Sequence, residues 1–179
     1  MTNLKEHRAL SSEIRAKGRR LEGYAAVFGQ EARIGDGFTE SIAPGAFAGS
    51  LRAGNDVLAL VDHDPSRVLA RTRSGTLRLS EDSRGLAFDL DVPDTQAGRD
   101  VLALAARGDI GGMSFGFTAM EDRRNGDHRE LLAIDLREIS VVLAFPAYDG
   151  TSVDARSRQI NAPFRAFAER ALQLMEGAQ

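Results

Sequence analysis

Hydrophobic and polar positions alternate along much of this chain with the two-residue period of β-strands. Leu21 to Phe28 is short, apolar and aromatic, and reads as a strand, as does Phe38 to Ile42. Pro44 then opens a short helix that runs through Phe47 and Leu51 and is stopped by Gly54. Val57 to Val61 is a continuous apolar run of the kind found in buried strands, and His63 follows just past its end. Leu77 and Leu79, then Leu86, Phe88 and Leu90, alternate with polar neighbours around a turn at Ser83-Arg84-Gly85. Thr95 is placed to cap a helix with Ala97, Val101, Leu104 and Ala105 on one face, and Gly108 to end it. Met113 to Met120 alternates again, with Ser114, Gly116 and Thr118 on one side and Phe115, Phe117 and Ala119 on the other. Glu130 to Phe145 supplies one long strand or two, ending at Pro146.

The strands, seven or eight with two or three helices, mostly follow one another through short turns. That order predicts an α+β chain: a mostly antiparallel β-barrel or sandwich with helices outside, not a doubly wound parallel sheet. Residues 1–20 read as an N-terminal arm, 21–153 as the main domain, and 154–179 as a linker followed by a helix. In that helix Phe164, Phe167, Ala171, Leu172 and Met175 form one stripe.

Composition narrows the chemistry. A length of 179 residues suits one domain. No apolar run is long enough to span a bilayer, and the polar start predicts no signal peptide. Cysteine is absent, which excludes disulfides and thiol catalysis. The net charge of −3 argues against general nucleic-acid binding. The basic cluster Arg15, Lys17, Arg19 and Arg20 reads as a solvated surface. No spacing suits a metal or a phosphate loop, so no cofactor and no metal are expected. The crowded polar residues Glu121, Asp122, Asp127, His128 and Glu130 flank the turn signal Asn125-Gly126.

Against that background two residues stand out. A serine hydroxyl needs a base to become a nucleophile, and imidazole, with a pKa of about 6.5, is the usual one. Of the three histidines, His63 alone lies beside a long apolar segment, and Ser114 lies between glycines. Taken one at a time, each has a plainer reading: a serine in a tight turn, a structural histidine. His7 and His128 read as surface residues. Gly112-Met113-Ser114-Phe115-Gly116 matches the G-x-S-x-G nucleophile elbow, but a strand pattern follows where the elbow needs a helix. The order Ser–acid–His is also missing. If the two long strands form a hairpin around a three-residue loop, Asn125-Gly126-Asp127, then Arg124 pairs with His128 and Ser114 faces Glu138. Cross-strand neighbours have Cβ atoms about 4.5–5.5 Å apart. That register favours Glu138 over Asp62, Asp64 or Asp135 as the carboxylate that orients His63. A two-residue loop would put Arg137 opposite Ser114 and turn Glu138 away.

Six blocks occur in order: Gly23-Tyr24-Ala25-Ala26-Val27-Phe28, Glu40 to Phe47, Asp62-His63-Asp64-Pro65, Ser83 to Leu86, Gly112 to Phe117 and Leu136 to Val142. Together they resemble the prohead maturation proteases of tailed phages, over roughly Leu21 to Val153. The resemblance implies a β-barrel with surrounding helices similar to the herpesvirus assembly protease. It also implies a serine–histidine pair mapping onto Ser114 and His63, with Glu138 as our choice for the third member. The implied task is serine endopeptidase cleavage of scaffolding protein, or of the N-terminal arm of the major capsid protein, inside the immature procapsid in the bacterial host cytoplasm. Self-cleavage and a homodimer are further expectations, and any scaffold would be a separate chain or a capsid-protein arm. The alternative is a non-catalytic barrel that assists assembly.

Overall fold

Eleven strands and two helices occupy the described residues 5–10, 14–35 and 37–144 of the computed structural model. In chain order they are β1 (Glu6–Leu10), β2 (Arg15–Lys17), β3 (Arg20–Val27), β4 (Ala32–Ile34), β5 (Phe38–Ile42), α1 (Ala48–Ala53), β6 (Leu58–Val61), β7 (Asp64–Arg71), β8 (Leu77–Glu81), β9 (Gly85–Asp91), α2 (Gln96–Arg107), β10 (Gly112–Asn125) and β11 (His128–Val142). The chain is therefore mostly β with few helices, as the alternation predicts. The strands pair into a seven-stranded sheet, β1-β10-β11-β5-β4 with β6 on β11 and β7 on β6, and a four-stranded sheet, β2-β3-β9-β8. Among the described residues these pairings do not close into a ring.

The 15-residue strand β11 is the spine of the larger sheet. One edge pairs antiparallel with β10. The other edge is shared end to end by two short parallel strands, β5 against residues 128–131 and β6 against residues 138–141. Between them the backbone of β11 would be orphaned, and a buried unpaired amide is costly. The β5–α1–β6 crossover fills the gap: Ile134 N donates to the Ala46 carbonyl and Leu136 N to Ser50 Oγ, each at 2.9 Å. Ser50 is buried for this purpose on the inner face of α1.

Both sheets feed one core. Leu21, Leu86 and Leu90 from the smaller sheet are fully buried with Met113, Phe115, Phe117, Leu131, Leu136 and Ile139 from the larger. Phe47, just before α1, meets Phe115 edge to face with centroids 5.7 Å apart. Burying each such ring contributes about 1.5–3 kcal/mol. Helix α2 is bounded as its sequence dictates. Thr95 Oγ1 accepts from Gly98 N at 3.2 Å, and Gly108 ends the helix in the left-handed conformation with φ of 76°.

The N-terminal residues depart from the reading of an arm. β1 adds antiparallel to the free edge of β10, and β2 pairs with β3. These strands carry few apolar residues, so hydropathy hides them. Backbone pairing and charge hold β1 instead. Arg8 is buried against Glu40 at 2.5 Å, with its guanidinium 5.3 Å from the Phe117 ring. Arg129 bridges the same Glu40 at 3.1 Å and Glu6 at 2.9 Å. Arg15, Lys17, Arg19 and Arg20 are exposed, as expected, but on strands and their connecting turn. The expected linker and the stripe from Phe164 to Met175 lie outside the described residues.

Candidate active site

Three strands of the larger sheet set the candidate side chains in two rows. In the first, Ala9 of β1, Ser114 of β10 and Ser140 of β11 are paired across the sheet. In the second, two residues along, the row is His7, Gly116 and Glu138. Alternation puts both rows on one face, while Phe115 and Phe117 point into the core. Gly116 presents no side chain, so its neighbours lean over it from both sides. A Cβ there would lie 2.8 Å from Glu138 Cγ and 2.9 Å from Lys5 Cε.

His63 reaches this face from the β6–β7 hairpin. Val61 pairs with Asp64, leaving Asp62 and His63 as a two-residue loop with φ of 50° and 60°. Positive φ at both central residues is the type I′ requirement; Asp and His tolerate it better than most residues. Asp62 locks the turn to the end of β11. Its N–H donates to the Val141 carbonyl, and its Oδ1 accepts from Leu143 N, both at 2.9 Å. A left-handed histidine costs about 1–3 kcal/mol and persists where the surroundings over-determine it.

The geometry that results is a chain of three groups. His63 Nε2 lies 2.8 Å from Ser114 Oγ, and His63 Nδ1 lies 2.6 Å from Glu138 Oε1. Ser114 Oγ is also 2.7 Å from the Arg8 carbonyl, which can only accept. The hydroxyl has one proton. If it goes to Arg8, His63 must donate from Nε2; if it goes to His63, the Arg8 contact is unmade. Ser114 is fully buried, and Ser140 Oγ stands 3.3 Å from His63 Nδ1.

Glu138 is the electrostatic centre. Burial pushes its carboxyl upward, but hydrogen bonds from His63 and from Lys5, whose Nζ lies 2.9 Å from Oε2, outweigh it and hold it below its ordinary value. The group is thus a carboxylate at neutral pH. His7 shares it, with Nδ1 3.3 Å from Glu138 Oε1 and its ring edge-on to His63 at 4.2 Å between centroids.

Ser114, His63 and Glu138, singled out from the sequence, are therefore brought together. The register argued for them is not the one observed. The hairpin turns on Gly126-Asp127, with Asn125 opposite His128, and Ser114 faces Ser140, not Glu138. Register shifts along the ladder, one of them between Gly116 and Phe117, restore the even spacing that keeps Glu138 on the face of Ser114. Of the other acids, Asp64 accepts from Ser66 and Asp135 from Asn55. His128 is not simply a surface residue: Thr39 and Ser41 hydroxyls flank its ring nitrogens at 2.9 Å. His7 belongs to the cluster, and its polar setting, Glu6-His7-Arg8, carried no signal of it. The turn from Phe145 to Tyr148, suggested by its position after β11 as a source of oxyanion donors, lies outside the described residues.

Among curated proteins no sequence match is found. The fold is similar to the structure of the bacteriophage T4 capsid assembly protease, gp21, with a TM-score of 0.54 at 12% identity, covering 79% of this chain and 97% of that one. The sequence pattern of the caudovirus prohead serine protease family matches residues 6–164, most of the chain and every element of the site. The chain belongs to the caudovirus prohead serine protease family.

Proposed function

We propose that this protein is a serine endopeptidase of phage capsid maturation, with Ser114 as nucleophile, His63 as general base and then acid, and Glu138 as the carboxylate that orients and charges the imidazole. The observation that carries this reading is the unbroken Ser114–His63–Glu138 chain at 2.8 and 2.6 Å on a protease-family scaffold. His63 Nε2 takes the hydroxyl proton as Oγ attacks a peptide carbonyl, and returns it to the leaving amine. Glu138 accepts from Nδ1–H, which keeps Nε2 free to act as the base and stabilises the imidazolium that forms. Before attack the hydroxyl proton turns from the Arg8 carbonyl to His63, and the buried serine becomes accessible to a substrate strand.

The substrates that fit are scaffolding protein or the N-terminal arm of the major capsid protein, with the chain itself as a further one, cleaved inside the immature shell. In this reading the two sheets form the walls of a barrel-like core. Co-expression with the capsid protein tests the proposal. The wild-type chain trims the arm or itself, and Ser114→Ala leaves both full length; identical band patterns refute it. Fluorophosphonate labelling of Ser114, absent in His63→Ala, separates a peptidase from a non-catalytic assembly factor.

A further inference from the structure

We propose that His7, His63 and Glu138 form a site for a divalent cation of the zinc class, and that its occupation silences Ser114 by taking His63 Nδ1. The ligand atoms of these three residues lie within 4.8 Å of one another, on a face that is half-buried to buried. They come from β1, the β6–β7 turn and β11, so no linear spacing reveals them. Two imidazoles and one carboxylate suit zinc, and suit calcium or magnesium poorly, because those ions demand oxygen ligands. Zn–N and Zn–O bonds of about 2.0–2.2 Å place tetrahedral ligand atoms roughly 3.3 Å apart. His7 Nδ1 and Glu138 Oε1 already stand at 3.3 Å. The His63 Nδ1 to Glu138 Oε1 pair, at 2.6 Å, opens by about 0.7 Å as the ion replaces the proton between them. Water completes the coordination.

The consequence follows from proton accounting on one ring. Neutral imidazole carries a single N–H. A metal on Nδ1 of the neutral ring confines that proton to Nε2, so Nε2 becomes a donor and cannot accept from Ser114. The structure accommodates that state directly. With Nε2–H donating to Ser114 Oγ at 2.8 Å, the hydroxyl donates to the Arg8 carbonyl at 2.7 Å, and both bonds are made at once. Lys5, 2.9 Å from Glu138 Oε2, is the opposing charge; nearly half exposed, it can swing into solvent. This inhibitory role rests on the protease reading, but the binding does not.

The test uses the full-length chain without an affinity tag, titrated with zinc chloride in a calorimeter and with cobalt chloride in the visible spectrum. One ion binds per chain. His7→Ala and His7→Gln weaken binding at least about tenfold, since even outer-shell partners of a metal are worth about 10–100-fold in affinity. Lys5→Met tightens it by removing a like charge, and His128→Ala leaves it unchanged. Zinc inhibits cleavage of the capsid arm with a midpoint equal to the calorimetric constant, and a chelator reverses it. No stoichiometric binding, or binding equal in wild type and both His7 variants, overturns the site. Binding with undiminished cleavage overturns the silencing. Stoichiometric binding to a chain that cleaves nothing sinks the protease reading and leaves the site standing.

Discussion

Gly116→Ala perturbs one methyl group and separates a geometric role for Glu138 from a merely structural one. Gly116 does not carry a positive φ, so alanine meets no backbone obstacle there. The obstacle is the added carbon, which would sit 2.8 Å from Glu138 Cγ, 2.9 Å from Lys5 Cε and 3.0 Å from Glu138 Oε1. Lys5 yields cheaply because it is the far end of a flexible chain. Glu138 does not, because its carboxylate is held by His63 at 2.6 Å and by Lys5 at 2.9 Å. Ordinary contact requires Glu138 to retreat by roughly 0.6 Å, which lengthens or breaks its bond to His63 Nδ1. A misplacement of this order costs about 10²-fold in rate, close to 2.7 kcal/mol in the barrier. The overpacking itself costs about 1–3 kcal/mol of stability. We expect kcat for cleavage of the capsid arm to fall about 100-fold with KM nearly unchanged, while the chain stays folded by circular dichroism. The decisive comparison is the double-mutant cycle. In a Glu138→Ala background the methyl group meets only the yielding end of Lys5, so Gly116→Ala should cost almost no further activity. Fully additive losses, or wild-type kcat in Gly116→Ala alone, would refute the reasoning.

Other outcomes follow from the same contacts. Glu138→Gln preserves shape but removes the negative charge and can turn an amide N–H toward His63 Nδ1, which favours the wrong tautomer, so kcat should drop by about 10²–10⁴ with little change in denaturation midpoint. Glu40→Ala removes the buried carboxylate between Arg8 and Arg129 and leaves the half-buried Glu6 to serve both, and should cost about 1–3 kcal/mol in urea unfolding. Stability should hold steady at neutral pH and decline as acid is added below about pH 4.5, because Glu138 and Glu6 both sit below that ordinary value when folded. In Glu6 burial pulls upward and is outweighed by Arg129 and Arg8. A carboxyl with a lowered folded pKa binds fewer protons folded than unfolded, so its contribution is complete above the unfolded pKa. It is lost as pH falls through the folded one. Denaturant midpoints measured from pH 7 down to pH 3 check the sign, and a stability rising toward acid would contradict it. Thr95→Ala should lower stability by about 1 kcal/mol through loss of the α2 cap, read from the same unfolding curves.

Local physical chemistry made much of this protein legible without coordinates. Wherever an element buries an apolar face, as in β3, β5, β6, β9 and β10, hydrophobic period and flanking glycines mark it, because burial and backbone conformation act on neighbouring residues. Thr95 and Gly108 bound α2 for the same reason. Among the strands that escaped notice, β1, β2 and β4 are held by backbone pairing, with ion pairs to distant residues added in β1, and neither leaves a periodic trace. The site divides along the same line. Ser114 and His63 could be named from their residue chemistry and from the family's motif blocks. The place of Glu138 depended on the Gly126-Asp127 turn and on the register shifts along β10, and a one-residue slip reverses every side chain beyond it. His7 could not be seen at all, since its meeting with His63 and Glu138 exists only where β1 joins the edge of β10. Near neighbours in the amino-acid sequence mark the core-facing elements and single out Ser114 and His63 as candidate groups. Which groups touch was decided only by tertiary structure, because strand register sums small local offsets over long stretches of chain.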